Sequence, residues 1–261
     1  MSYLHTNQIF SEDPNPNGSP VVLLIHGLGS DHSSWIFQAQ ALIEKGYRPI
    51  TIDLPGFGKS KGRHFHWSLE HCCDSCIHVL DEKSISKAIV CGLSLGGVIA
   101  QLMTLNYPER VEALILINTF ACLRPKQLDE WAYLLKRFFI SLLFGKDKQA
   151  ELVAERLFPA DENELYRQEV ISQIKEADRD IYKKAMEAIA VLDLRKRIPS
   201  IQCKTLVITA ELDSTVPPRN QIEMANLIKS ARQVFIPDSR HAVIIDQPDL
   251  TNREIIDFIT G

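Results

Sequence analysis

The residues best suited to chemistry surround Ser94. The chain reads Gly92-Leu93-Ser94-Leu95-Gly96, with a short apolar run before it and a longer apolar segment after it. Gly-x-Ser-x-Gly in this setting predicts a strand that turns sharply through the serine into a helix. Glycine on either side avoids side chains that would collide with the backbone at such a turn. The turn would raise the hydroxyl above a sheet, at a helix N-terminus whose free N–H groups can face a developing oxyanion.

A histidine is the next requirement, because a serine hydroxyl is a weak nucleophile until a base accepts its proton. The chain has eight histidines, and only His241 follows Ser94. Enzymes that hold a serine on this kind of turn carry the acid and then the histidine after it in the chain. The sequence therefore predicts His241 as the general base.

A carboxylate must hold that histidine in one tautomer and stabilise the imidazolium that forms during attack. Asp213 is the preferred candidate because it follows the apolar run Thr205–Thr209 and precedes His241. Glu211 lies close by in the same segment and remains an alternative. Ser94, Asp213 and His241 are thus the predicted catalytic residues.

The loop after the first long apolar run reads His26-Gly27-Leu28-Gly29. A second donor of the oxyanion hole is expected from this loop, so we predict that the backbone N–H groups of Leu28 and Leu95 face the substrate oxygen. His26 lies before the loop and too early in the chain for a triad base. We interpret it as structural.

From residue 21 onward, short apolar runs alternate with longer segments of helical periodicity. This order predicts an α/β fold with a mostly parallel central sheet flanked by helices. The predicted strands are Val21–Ile25, Arg48–Ile52, Ala88–Cys91, Ala113–Ile117, Thr205–Thr209 and Gln233–Ile236. The predicted helices are Ser34–Lys45, Ser68–Asp81, Leu95–Asn106, Arg219–Lys229 and Leu250–Ile259. The turn Pro14–Gly18 is expected to close a hairpin of edge strands.

The alternation stops after Asn118 and resumes near Lys204, which predicts an insertion between two strands. Residues 1–119 and 204–261 would form the core domain, and residues 120–203 a helical lid. Within the insertion, Trp131–Phe144 is apolar around most of its circumference and needs a partner surface on more than one side. A lid over a cleft would supply that surface and favour a substrate with an apolar portion. A plain core helix is the alternative.

Histidines and cysteines cluster between residues 64 and 78, as in some metal sites. Periodicity argues otherwise, because Cys72, Cys73 and Cys76 share one stripe of an amphipathic helix that Ser68 would cap. The cysteines are therefore interpreted as small core residues. No metal and no cofactor is predicted.

Charge and hydropathy exclude other classes of function. The chain carries a net charge of −4 and no dense Lys/Arg stripe, so nucleic acid is not an expected partner. No segment is apolar enough to span a bilayer and no export signal precedes the fold, so membrane insertion is not expected and the cytoplasm is the expected location. The six cysteines are expected to be reduced thiols there.

Four motifs in order resemble the α/β-hydrolase family. They are His26–Gly29, Asp53–Ser60, Gly92–Gly97, and the pair Asp213 with His241. The resemblance implies a serine carboxylesterase, and within the family Asp53–Gly62, Ser94–Ala100 and Asp193–Arg195 look similar to pimeloyl-carrier-protein methyl ester esterase. Enol-lactonases are similar too. In this family Asp53–Ser60 forms a tight structural turn after a strand, so it is not expected to be catalytic.

The expected activity is hydrolysis of a carboxylic ester, lactone or thioester through an acyl-enzyme. Two alternatives stay open, a ligand receptor that keeps the fold and an aminopeptidase of the same fold. A small ester with an apolar portion is the expected substrate. An acyl carrier protein is a further possible partner because residues 122–148 have a charge balance of +3, although such a patch is also typical of a solvated face.

Overall fold

The computed structural model describes residues 9–60, 67–125, 128, 132, 145, 147–159 and 164–261. Within them, seven strands form one sheet. The strands are β1 (Ser11–Glu12), β2 (Val21–Ile25), β3 (Arg48–Ile52), β4 (Ala88–Leu93), β5 (Val111–Ile117), β6 (Lys204–Ala210) and β7 (Ala231–Ile236). Their order across the sheet is β1-β3-β2-β4-β5-β6-β7.

The predicted parallel sheet is confirmed. Every neighbouring pair from β3 to β7 is parallel, and only the two-residue strand β1 runs antiparallel, against β3. Each predicted strand is present in the structure. Several strands are longer than predicted by one or two residues at an end, because their hydrogen bonds to the neighbouring strand continue past the apolar run.

The predicted edge hairpin is wrong. The turn itself exists, since Gly18 N donates to Asn15 O at 3.0 Å. However, β1 pairs with β3, where Ser11 lies opposite Ile52, and it does not pair with β2. The reason is that both edges of β2 are already occupied by the parallel strands β3 and β4, so no edge is left for a hairpin partner.

Helices pack on both faces of the sheet. The helices of the structure include α1 (Ile36–Glu44), α2 (Leu69–Glu82), α3 (Leu95–Asn106), α4 (Glu164–Glu176), α5 (Arg179–Val191), α6 (Pro218–Leu227), α7 (Val243–Asp246) and α8 (Pro248–Thr260), of which α4 and α5 belong to the segment between β5 and β6. The predicted start of α1 at Ser34 differs because His32–Trp35 forms a separate 3₁₀ turn, capped by the Asp31 side chain. Ser68 caps α2 as expected, since its hydroxyl accepts from His71 N.

The core lies on both sides of the sheet, as a parallel sheet requires. Alternate residues of β2 show this, because Leu23 and Ile25 join one apolar cluster whereas Val22 and Leu24 join the other. Cys72, Cys73 and Cys76 are fully buried in the first cluster, as the helical periodicity predicts. Burial raises the pKa of the Cys73 thiol to about 12, so the thiol is neutral at physiological pH.

Between β5 and β6, the described residues hold α4 and α5 and form no strand, apart from an isolated bridge between Cys122 and Asp193. The division into core and lid remains a prediction. The segment Trp131–Phe144 lies outside the described residues except for residue 132. Among the helices that the structure describes, none has the length and apolar character needed to cross a membrane.

Candidate active site

Ser94 occupies the turn between β4 and α3. Its backbone angles are φ 53° and ψ −114°, a conformation that is strained for any residue with a side chain. The end of β5 holds this backbone in place. Ser94 N donates to Ile117 O at 3.0 Å, and the hydroxyl of Thr119 donates to Ser94 O at 2.6 Å. Strain of this kind persists only where the surroundings enforce it, and it is concentrated at functional sites.

The glycines of the turn are required by close backbone contacts. A Cβ at Gly92 would overlap the carbonyl of Gly96, and a Cβ at Gly96 would overlap the carbonyl of Ile25 at the end of β2. The Gly-x-Ser-x-Gly motif predicts such collisions between a side chain and the backbone at both glycines, and the structure shows them. Gly27 lies in the loop beside the serine, since a Cβ there would be 3.6 Å from Ser94 Cβ.

The two predicted oxyanion donors flank this position. Leu95 is the first residue of α3, at the positive end of the helix dipole, and Leu28 lies in the turn after β2. In the described part of the chain, neither backbone N–H has a hydrogen-bond acceptor. Two unused donors beside a strained serine can receive a negatively charged oxygen.

His241 and Asp213 form a buried pair. His241 Nδ1 lies 2.8 Å from Asp213 Oδ2, and the residues are 8% and 2% exposed. Because a carboxylate only accepts, Nδ1 carries the proton and Nε2 is the nitrogen free to act as a base. Glu211 is exposed and does not contact the ring in the structure, so the alternative acid does not partner His241.

The Asp213 carboxylate is held by four donors. Its Oδ1 accepts from Thr215 N and Val216 N, both at 2.9 Å. Its Oδ2 accepts from the Gln221 side-chain amide at 3.1 Å as well as from His241. Hydrogen bonds from several donors favour the ionised carboxylate and fix its orientation.

The three predicted catalytic residues follow the carboxyl ends of three parallel strands. Ser94 comes after β4, Asp213 after β6 and His241 after β7, and parallel strands present these ends at one edge of the sheet. Within the described residues, however, the hydroxyl of Ser94 makes no hydrogen bond to His241 or to another group. Such bonds are often long in a site without substrate and shorten when one binds.

Sequence reasoning missed Gln221 and Asn118. Gln221 is fully buried on α6 and also donates to Val216 O at 2.8 Å, which aims its amide at Asp213. Asn118 follows β5 and donates to His241 O at 2.9 Å. Asn118 had a local signal, because it is a polar residue directly after a buried strand at the edge where the site was expected. Gln221 had no such signal, because it lies within α6.

His26 has the structural role that its position suggested. Its Nδ1 donates to Gly27 O at 2.7 Å, and its Nε2 accepts from Leu54 N at 2.9 Å. The ring therefore joins the loops after β2 and β3 in its neutral form. Burial lowers the pKa of His26 from the usual value of 6.5, because charging a fully enclosed ring is costly.

One described group of side chains has the geometry to hold a metal. Potential ligand atoms of Asp31, His32 and Asp53 lie within 4.8 Å of one another. Internal donors already occupy the carboxylates, since Asp53 accepts from His32 N at 2.6 Å and from Lys59 N at 2.7 Å. We therefore interpret the group as a hydrogen-bonded turn, the role that the resemblance implied for Asp53–Ser60.

A family described as alpha/beta hydrolase fold matches residues 20–248. The chain belongs to this family. A protein of Aeromonas hydrophila named pimeloyl-[acyl-carrier protein] methyl ester esterase is 28% identical over 93% of this α/β-hydrolase and 96% of the relative. A protein of Variovorax paradoxus, named provisionally as the carbamate hydrolase RutD, is 26% identical over 94% of this chain and 93% of the relative. The solved enol-lactonase of Burkholderia xenovorans LB400 is 27% identical, with a TM-score of 0.85 over 97% and 96% of the two chains.

In this α/β-hydrolase, α4 and α5 contact the loop that carries Leu28. A Cβ at Gly29 would meet the side chains of Ile174 on α4 and Tyr182 on α5. The Ser30 hydroxyl also donates to the Gln173 side chain at 3.0 Å. The segment between β5 and β6 therefore packs directly beside the candidate oxyanion hole.

The basic residues expected to attract a carrier protein are only partly described. Arg124 lies 3.6 Å from Asp193, and Lys148 lies 2.6 Å from Glu151, so acidic neighbours offset both charges. The other basic side chains between residues 122 and 148 lie outside the described residues.

Proposed function

We propose that the protein hydrolyses a carboxylic ester, or a related lactone or thioester, through an acyl-enzyme on Ser94. The observation that carries this proposal is the buried hydrogen bond between His241 and Asp213, at the sheet edge where Ser94 is held in a strained turn. The named relatives support the same class of chemistry, since an enol-lactonase and a methyl ester esterase are among them.

In the first half of the reaction, the Ser94 oxygen attacks the carbonyl carbon while His241 Nε2 removes the hydroxyl proton. The carbonyl oxygen becomes an anion that the Leu28 and Leu95 N–H groups receive. As the tetrahedral intermediate collapses, the bond to the alcohol oxygen breaks and His241 returns the proton to that oxygen. The alcohol leaves, and the acyl group stays on Ser94.

In the second half, water attacks the acyl carbon and His241 removes a proton from it. A second oxyanion forms in the same place. Its collapse breaks the bond to Ser94, which recovers its proton from His241, and the acid leaves. Asp213 keeps the imidazole oriented and stabilises its charged form in both halves without changing its own protonation.

The test is a panel of p-nitrophenyl esters of increasing acyl length, together with a lactone, a carbamate and an ester bound to a carrier protein. Ser94→Ala should lower kcat/KM by at least about 10³-fold on every member that the wild type hydrolyses. Ser86→Ala is a matched control because Ser86 is exposed and its side chain makes no hydrogen bond in the described structure, so it should retain full activity. A folded Ser94→Ala protein that keeps substantial turnover would refute the proposal.

The same panel, with an aminoacyl p-nitroanilide added, separates the other candidates. An aminopeptidase would cleave an aminoacyl p-nitroanilide faster than any ester. A receptor would bind members of the panel without turning them over. Either outcome would replace ester hydrolysis as the assigned activity.

A further inference from the structure

Asn118 is a fully buried polar residue whose side-chain oxygen and nitrogen both make hydrogen bonds, to the end of β6 and to the loop after β7. Its Oδ1 accepts from Ala210 N at 2.8 Å. Its Nδ2 donates to Arg240 O at 3.1 Å and to His241 O at 2.9 Å. A buried amide is tolerated only when such bonds are made, so the three partners are held together strongly. The backbone of Asn118 has φ 44°, a left-handed conformation that asparagine adopts more readily than most residues.

The residues on either side of Asn118 hold the nucleophile. Ile117 O accepts from Ser94 N, and the Thr119 hydroxyl donates to Ser94 O. Three consecutive residues at the end of β5 therefore bind the backbone of Ser94 on one side and that of His241 on the other.

The proposed catalytic acid, Asp213, is also connected to the carboxyl end of β5. Asn118 accepts from Ala210 N, and Ala210 O accepts from Asp213 N at 3.3 Å. Asn118 N also donates to Ile208 O, which extends the pairing of β5 with β6 beyond the last residue of β5. The loops of all three proposed catalytic residues thus meet at the carboxyl end of β5.

We propose that Asn118, assisted by Thr119, is a positioning residue that sets the distance between the Ser94 hydroxyl and His241 Nε2. The inference rests on the proposed triad, because neither residue touches the reacting atoms. A donor is needed at the Nδ2 position, since it faces two backbone carbonyls. Aspartate has the same shape and can still accept from Ala210 N, but it would place an oxygen against those carbonyls.

The first test is Asn118→Asp, assayed on an ester that the wild type hydrolyses. Enzyme concentration is taken from active-site titration, so a loss of folded protein does not count as a loss of rate. We expect kcat per titrated site to fall about 10²-fold, because a displacement of about 1 Å can cost that much. KM should change less than about threefold, since the variant alters alignment rather than binding.

The matched control is Asn15→Asp. The Asn15 amide also donates to a backbone carbonyl, Tyr47 O at 2.7 Å, but it lies at the amino-terminal edge of the sheet. This variant should keep the wild-type kcat even if it loses stability. Unchanged kcat in Asn118→Asp, or an equal fall in both variants, would overturn the inference.

Thr119→Val keeps the test decisive if Asn118→Asp fails to fold. It removes the hydroxyl that binds Ser94 O and preserves the shape of the fully buried side chain. We expect about a tenfold fall in kcat, and recovery in Thr119→Ser, which restores the hydroxyl. Equal kcat in the valine and serine variants would contradict the inference. A failure of the proposed function gives a different result from a failure of this inference, because in that case the Ser94→Ala variant would retain activity.

Discussion

Asp213 Oδ2 lies 2.8 Å from His241 Nδ1, although α6 and β7 separate the two residues in the chain. The bond fixes which ring nitrogen carries the proton and directs the other away from the carboxylate. The pair is buried, and its carboxylate has three further donors from Thr215, Val216 and Gln221.

Removing the negative charge of Asp213 should disable the base without altering the shape of the site. Asp213→Asn should lower kcat by about 10³- to 10⁴-fold, because the amide no longer holds the reactive tautomer. Glu211→Gln should stay within about twofold of the wild type, since Glu211 is exposed. Steady-state kinetics on one ester compare the two variants. The assignment of the acid would be reversed if the Glu211 variant lost the activity and the Asp213 variant kept it.

Gly96, two residues after Ser94, should be essential for stability. Gly96→Ala would place a methyl group against the Ile25 carbonyl and should destabilise the fold by about 3 kcal/mol or more. Gly27→Ala is the matched comparison, because its methyl group would be 3.6 Å from its nearest neighbours, an ordinary contact. It should cost less than about 1 kcal/mol. Urea unfolding measures both, and equal free energies of unfolding would show that the turn tolerates a side chain.

Burial of neutral His26 should make stability fall in acid. The folded-state pKa of His26 lies below the usual 6.5, so the unfolded chain binds more protons in that range. The stabilisation is complete above about pH 6.5 and is lost as pH falls, by up to about 1.4 kcal/mol per pH unit for one proton.

Urea unfolding at pH 7.5 and 5.5 tests this expectation. His26→Asn should be less stable at pH 7.5 and should show a smaller loss between the two values. His78→Gln is the comparison at an exposed histidine, and it should change the stability at pH 7.5 much less than His26→Asn does. A His26 variant with the full wild-type pH dependence would exclude this ring as the source.

The reactivity of the cysteine thiols should show how tightly α2 is packed. Burial raises the pKa values of Cys72, Cys73 and Cys76, so these thiols are both enclosed and neutral. Ellman's reagent at pH 8 should label at most Cys203 in the native protein, since Cys203 is the only partly exposed cysteine of the six. All six should react in urea. Rapid native labelling of the α2 cysteines would contradict the packing.

Much of this architecture could be predicted from local patterns. The apolar runs indicated β2 to β7. Ser94 could be predicted from the Gly-x-Ser-x-Gly motif, and Asp213 and His241 from their order in the chain and the apolar runs that precede them. Pairing could not be predicted in the same way, and β1 joined β3 because β2 had no free edge. The contact between Asn118 and His241 joins residues 123 positions apart and has no local signature.

The most direct test of the central claim is reaction with a fluorophosphonate, followed by mass spectrometry of the digested protein. The proposed triad predicts one phosphonyl group per chain, attached to Ser94, and no labelling of Ser94→Ala. His241→Ala should be labelled at least about 10³-fold more slowly, because the hydroxyl then has no base. A folded wild-type protein that hydrolyses esters but carries no adduct on Ser94, or carries it on another residue, would contradict the account.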